Sequence, residues 1–222
     1  SIGLKSIQES LDIRSHILQN LEHAVNTFDK KEKQRYTTIA IVGGGPAGVE
    51  MAGAMAEFKK YTYQKDYPDL KLNPLKLVLV EAGDNVLSAM SDKSSKDMLY
   101  YLEKLGVTVL LNTAVKSYDG SEVILSNDEK IDAATLIWTA GVKGQFPEGL
   151  QPDVIQRGNR LKVNVVNKLE GKENIYVIGD VAYMETEAYP NGHPMIAPTA
   201  IQQGQHLAEN LLSQKWAPFK YF

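Results

Sequence analysis

The chain has 222 residues, 43% hydrophobic and 23% charged, with a formal net charge of −3 and no cysteine. That is the make-up of a soluble globular protein with one large or two small domains and enough apolar material for a sizeable core. It excludes disulfides, thiolate metal sites and redox-active thiols within the chain, and the charge gives no electrostatic footprint for nucleic acid. No apolar run is long enough for a membrane-spanning helix, and no hydrophobic leader follows Ser1. The four histidines, His16, His23, His193 and His206, have no ligand spacing, so no metal is expected.

Ser6-x-x-Glu9 reads as a capping box opening a helix. Leu11, Ile17, Leu18, Leu21, Val25 and Phe28 follow at helical spacing and predict one packed face. The charged stretch 29–35 reads as a solvated linker. Residues 37–42 form a β-branched run, a buried strand, followed by a glycine turn at 43–48 and an Ala- and Met-rich helix from 49 to about 64. A loop over 65–74 leads to a second buried strand at 75–80, ending at Glu81. Ser91 caps a helix running to 105, and Gly106 ends it. A third strand follows at 107–111. Short alternating stretches around Val115 and over 121–126 predict a hairpin. Further strands are expected at 135–139, 161–166 and 175–178, and a final helix from near Pro198 to about 213. The alternation of strand and helix implies an α/β fold: a Rossmann-like parallel sheet with a small antiparallel appendage.

The strongest chemical signal is Gly43-Gly44-Gly45-Pro46-Ala47-Gly48. It fits G-x-G-x-x-G between a strand and a helix, the context a dinucleotide fingerprint requires. Gly43 allows the tight turn, Gly45 lets the backbone approach a pyrophosphate, and Gly48 lets helix pack on strand. The helix N-terminus, at Pro46 and Ala47, then offers free N–H groups and a partial positive charge. Glu81 supplies the acidic residue at the end of the next strand. A carboxylate there accepts ribose hydroxyls and repels a 2′-phosphate, which favours NAD(H) over NADP(H). Its distance from the turn is longer than usual because a long helix and a loop intervene. Methyltransferases share a glycine turn and an acid on the second strand, but the downstream features do not suit them.

Those features are a strand ending in Ile178-Gly179-Asp180, the segment Trp138-Thr139-Ala140-Gly141-Val142, and Ala197-Pro198-Thr199-Ala200-Ile201-Gln202-Gln203-Gly204 at the start of the last helix. Together with Gly48-Val49-Glu50 and the long stretch to Glu81-Ala82-Gly83, they resemble the type II NADH:quinone oxidoreductases. These belong to the flavoprotein reductases with two dinucleotide-binding domains. The resemblance implies an enzyme that passes electrons from NADH through FAD to a quinone. It places Gly179 and Asp180 at the FAD ribityl chain and Ala140 and Gly141 against bound NAD(H). It puts Glu50 near the flavin–nicotinamide contact as a proton source, and Gln202 on the quinone side. Pro198 departs from the family pattern, which has Gln at that position, so the chain either handles its acceptor differently or gives the role of that Gln to Gln202.

By the same resemblance, residues 1–35 are expected to be a helix and linker to an FAD domain, 36–141 the NADH-binding domain and 142–222 the returning part of the FAD domain. No FAD-binding glycine unit precedes Gly43, and the family's amphipathic membrane anchor would begin about where the chain stops. The chain is therefore expected to be a piece of a longer protein. By itself it would bind NADH, take up no FAD and leave apolar faces of its second half uncovered. The whole protein is expected on the cytoplasmic face of a membrane, and the resemblance allows for a homodimer. Two other readings stay open: a non-catalytic NADH-binding module, and a flavin reductase with another acceptor. Sulfide:quinone reductases need cysteines in this region and do not fit.

Overall fold

The computed structural model describes residues 1–88, 90–141 and 143–221. They form two compact units, Ser1–Ala140 and Gly141–Phe222.

The first unit is built on a five-stranded, wholly parallel sheet. Its spatial order is β1 (Ile2–Gly3), β8 (Thr135–Trp138), β2 (Thr38–Val42), β3 (Lys76–Val80) and β4 (Val107–Leu110). Every residue of β2 is buried, and its alternation divides the core. Ile39 and Ile41 join Leu77, Leu79 and Ile137 on one face, under helices α1 (Ile7–Asn26), α3 (Pro46–Phe58) and α5 (Asp92–Lys104). Ala40 and Val42 join Val78, Val80 and Leu136 on the other. There Val123, Leu125 and Ile131 cover the sheet from a three-stranded antiparallel sheet of β5 (Val115–Tyr118), β6 (Glu122–Leu125) and β7 (Lys130–Asp132). A parallel sheet buried on both faces accounts for strands that are apolar without a break.

The capping box at Ser6 forms, its hydroxyl accepting the Glu9 N–H at 3.2 Å. The buried face of α1 is Ile13, Ile17, Asn20, Leu21 and Ala24, whereas Leu11, Leu18 and Phe28 are exposed. The expected face was rotated because it counted apolar residues without the buried Asn20, whose amide donates to Thr135 Oγ1 at 2.9 Å. The stretch expected as a linker contains α2 (Lys30–Tyr36), capped by Asp29, which accepts the N–H groups of Lys31 and Glu32. Residues 1–35 are thus part of the first unit, through β1 on the sheet edge and α1 in its core. The helix after the glycine turn begins at Pro46 and passes at Lys59 into a π-helical stretch, Lys59–Tyr63, then into α4 (Gln64–Asp66). The expected hairpin gains its third strand in β7.

The second unit holds a sheet of β9 (Ile155–Gln156), β10 (Arg160–Val163) and β11 (Ala182–Met184), with β10 central. The helix α6 (Ala197–Ser213) carries an inward face that is polar: Thr199, Gln203 and Asn210 are buried. Ile201 is 58% exposed and Leu212 87%. Asn210 exchanges two hydrogen bonds with the backbone of Ala217, which turns the chain back so that Phe219 enters the core. Strand β10 stops at Val163 because the Asn164 side chain accepts the N–H groups of Val166 and Lys168, closing a turn. The expected strand at 175–178 is absent as a strand. Its segment makes one isolated bridge, Lys168 to Tyr176, and among the described residues no strand lies along its other edge. Ile175 and Ile178 are consequently exposed.

Two outcomes follow from this packing. Leu21→Ala should cost about 2–5 kcal/mol, the range for a buried leucine, while Phe28→Ala should be within about 0.5 kcal/mol of neutral; denaturant melts would check both. His193 is 1% exposed, and burial, with the nearby Arg160 charge, pulls its pKa below the usual 6.5. A folded-state value below the unfolded one means that acid favours unfolding. The contribution is present above about pH 6.5 and is lost as the pH falls below it. Thermal melts of the second unit should therefore drop between about pH 7 and about pH 5, and His193→Phe should flatten that drop.

Candidate dinucleotide-binding site

The glycine turn lies at the carboxyl end of β2, where the sheet order switches: β3 and β4 extend to one side and β8 to the other. Ligands of open parallel sheets bind in the crevice at such a point. Three glycines in the turn have different physical reasons. Gly43 has φ +110°, and a Cβ on it would lie 2.8 Å from the Ala140 backbone nitrogen. Gly48 lies against the Gly43 carbonyl, and a Cβ there would also come within 2.8 Å of Thr139 Oγ1. These two are required by the fold. Gly45 is not: its φ of −71° and ψ of −179° suit any residue, and a Cβ on it meets nothing within 4 Å. The space beside Gly45 is open, exposed and directly over the start of α3.

That helix start is uncompensated. Gly45 is the N-cap without a side-chain hydrogen bond, Pro46 occupies the first turn, and no acidic residue lies there. The partial positive charge and the free N–H groups of the first turn are left for an anion. Glu81 stands alongside. One carboxylate oxygen accepts the Gly44 N–H at 2.5 Å and the other the Gly83 N–H at 2.6 Å. Each oxygen keeps a further lone pair, so a held carboxylate can still accept two hydroxyl donors. On the β8 side, Thr139 Oγ1 donates to the Val42 carbonyl at 2.7 Å, and the Trp138 indole N–H donates to the Ala140 carbonyl at 2.8 Å. The structure thus brings Gly43, Gly45, Pro46, Ala47, Gly48, Glu81 and Ala140 together. Glu50 is exposed on the second turn of α3, apart from the Glu81 carboxylate's contacts. Gly141 has φ +73°, and Val142 lies outside the described residues.

In the second unit, Gly179 has φ +73° and opens a short 3-10 turn, Gly179–Val181. A Cβ on Gly179 would touch Ala200 at 3.5 Å, so the turn abuts the first turn of α6. Asp180 is exposed. Gln202, half-buried, and Gln203, fully buried, follow on α6. Sequence reasoning singled out Gln202 for chemistry, yet Gln203 is the residue that touches the turn, accepting the Gly179 N–H at 2.7 Å. It also passed over Arg160, which donates to the Asp180 carbonyl at 3.0 Å. Among the described residues no group of His, Cys, Asp and Glu could hold a metal ion.

The fold and the turn define a Rossmann-type α/β unit with an open approach to a helix N-terminus. A family model described as pyridine nucleotide-disulphide oxidoreductase matches residues 5–204, and the chain belongs to that family. A type II NADH:quinone oxidoreductase of Mycobacterium tuberculosis is 28% identical over 99% of this chain and 50% of its own length. An external alternative NADH-ubiquinone oxidoreductase of Yarrowia lipolytica is 33% identical over 95% of this chain and 37% of its own. The solved structure of NDH2 from Plasmodium falciparum in complex with NADH aligns with a TM-score of 0.71 and 26% identity. It covers 83% of this chain and 40% of that one. The chain spans half or less of the length of these relatives.

Proposed function

We propose that this chain carries the NADH-binding part of an FAD-dependent NADH:quinone oxidoreductase. The observation that supports it best is the space at Gly45. A glycine in a relaxed conformation with nothing around it has no folding reason to lack a side chain, but it has a ligand reason. The backbone there can lie against a pyrophosphate, with the α3 N–H groups at Ala47 and Gly48 donating to it. Glu81 would accept the adenosine ribose hydroxyls, and its charge would exclude a 2′-phosphate. Ala140 and Gly141 would line the nicotinamide half. Glu50, on the same helix and exposed, would supply one of the two protons that reduction of a quinone to a quinol takes up, and Gln202 would face the quinone.

The second unit fits the returning part of an FAD domain. Its Gly179–Asp180 turn leaves the Asp180 carboxylate exposed for ribityl hydroxyls. The first turn of α6 has no capping side chain and no acidic residue. The outward apolar residues Ile201 and Leu212 suit a covering body rather than water. The described residues hold one G-x-G-x-x-G turn, so the FAD pyrophosphate would be held by further chain. When bound, FAD accepts a hydride from NADH and releases two electrons to the acceptor. The names of the relatives support quinone as that acceptor. A peripheral place on the cytoplasmic face of a membrane and a homodimer belong to the same proposal. No helix of the described residues is long and apolar enough to cross a membrane.

Calorimetric titration of this chain tests the reading. It should bind NADH more tightly than NADPH, and Glu81→Gln should narrow the gap by about tenfold, about 1.4 kcal/mol. Gly45→Val should abolish NADH binding while leaving the melting temperature within a few degrees, because a Cβ at that position meets no protein atom within 4 Å. Equal affinity for the two nucleotides, or normal binding by Gly45→Val, would contradict it.

A further inference from the structure

The turn at Gly179–Asp180 is held in an unusual way. Its two peptide groups are gripped by side chains from elsewhere in the second unit. On one flank Gln203, 0% exposed, accepts the Gly179 N–H at 2.7 Å. On the other, Arg160 Nε donates to the Asp180 carbonyl at 3.0 Å. Arg160 extends the grip through its terminal nitrogen, which donates to the carbonyls of Ala182 and of His193. Its guanidinium also lies 5.3 Å from the centre of the Tyr183 ring.

Arg160 is 6% exposed, and among the described residues no carboxylate forms an ion pair with it. Burying a cation without a carboxylate in ion-pair contact is costly, and burial pulls its pKa below the ordinary arginine value, with the Tyr183 hydroxyl and the Asp180 charge opposing that shift. A neutral apolar residue would fill the same space without that cost. The guanidinium is the one side chain with a planar fork of donors able to bind several carbonyls at once. Gln203 shows the same excess. Its Oε1 is used, but its Nε2 is buried with no partner among the described residues, as is the hydroxyl of Thr199 one turn earlier on the same face of α6. Such groups are rare in folded proteins and call for an explanation beyond packing. Both observations centre on the one turn whose outer side chain, Asp180, is exposed.

We propose that Arg160 and Gln203 are positioning residues for the flavin. From opposite flanks they fix the Gly179–Asp180 peptides so that the Asp180 carboxylate faces outward in one orientation. Arg160 also places a buried positive charge behind that carboxylate and offsets its negative field at the flavin. The inference rests on the reading of Asp180 as an FAD contact. It goes further in assigning how the contact is held and how the flavin's potential is set.

The test uses the full-length flavoprotein. FAD affinity is read by fluorescence titration of the apoprotein, and the flavin midpoint potential by equilibrium titration against a redox dye. Gln203→Met, which keeps the length and removes the acceptor, should weaken FAD binding about tenfold or more. Gln203→Glu keeps an oxygen for the Gly179 N–H and should restore most of the affinity. Arg160→Met should shift the potential to a more negative value, because reduction adds negative charge to the flavin and the offsetting cation is gone. Arg160→Lys should keep the potential near the wild-type value. A merely structural role would not separate Arg160→Lys from Arg160→Met in potential, or Gln203→Glu from Gln203→Met in affinity. If Gln203→Met does not fold, Gln203→Asn, which keeps the amide but draws it back from the Gly179 N–H, takes its place and should likewise weaken FAD binding. If Arg160→Met does not fold, Arg160→Gln, which keeps a donor and removes the charge, should likewise make the potential more negative. A wild-type protein that takes up no FAD would remove the reading of Asp180. A wild-type protein that binds FAD, with Gln203→Met (or Gln203→Asn) matching it in affinity and Arg160→Met (or Arg160→Gln) matching it in potential, would overturn the positioning role alone.

Discussion

Helix α3 can start where it does because the α-carbon of Gly48 packs against the carbonyl of Gly43. Any side chain at Gly48 would force the first turn of the helix away from β2. Any side chain at Gly43 would strike Ala140 and would have to adopt a φ of +110°. These two absences seat the helix N-terminus at the mouth of the sheet, and the rest of the site is arranged around that seat. Glu81 reaches across from β3 and clamps the turn by its Gly44 N–H, and Thr139 does so from β8 through the Val42 carbonyl. Three parallel strands therefore converge on one loop, and each contributes a bond that would break if their register slipped by a residue. The result is a helix dipole aimed at the open space beside Gly45.

The sheet supports this arrangement by being buried twice. Helices cover one face and a small antiparallel sheet the other, so the strand ends are rigid while the loops beyond them are free to take up a ligand. The second unit works differently. Its last helix turns polar groups inward and apolar groups outward. The inward groups serve specific contacts: Gln203 to Gly179, Asn210 to Ala217 and Asn167 to His206. Such a unit spends its polar side chains on holding loops, which is sensible where loops meet a cofactor.

Much of the first unit was legible in the sequence because its determinants are local. A β-branched run, three spaced glycines, a proline at the helix start and an acid ending the next strand sit within short windows, and each acts through its own backbone. Helix α2 was missed because its stabilising contact is the Asp29 cap rather than an apolar stripe, and charge density was taken for solvation. The face of α1 was misjudged because a buried Asn20 defines it, and a polar residue can be buried only when a partner such as Thr135 waits for it. The segment at 175–178 has strand composition, but a strand is a property of a pair, and the described residues offer it a neighbour on one side only. Arg160 carried no signal in the sequence, and Gln203, though inside the motif, carried none for the contact it makes. Their contacts with the Gly179–Asp180 turn span 20 and 24 residues, and no local pattern marks a side chain whose partner is a distant peptide group.

The central claim is that the open space at Gly45 receives a dinucleotide held by the α3 N-terminus and Glu81. Nuclear magnetic resonance of this chain tests it most directly, by following backbone amides as NADH is added. The largest shifts should fall on Gly44 through Val49, on Gly83 and on Ala140, while the amides of Leu21 and Ala24 in the α1 core stay still. Binding that leaves the glycine-turn amides unmoved and shifts another surface would contradict the account.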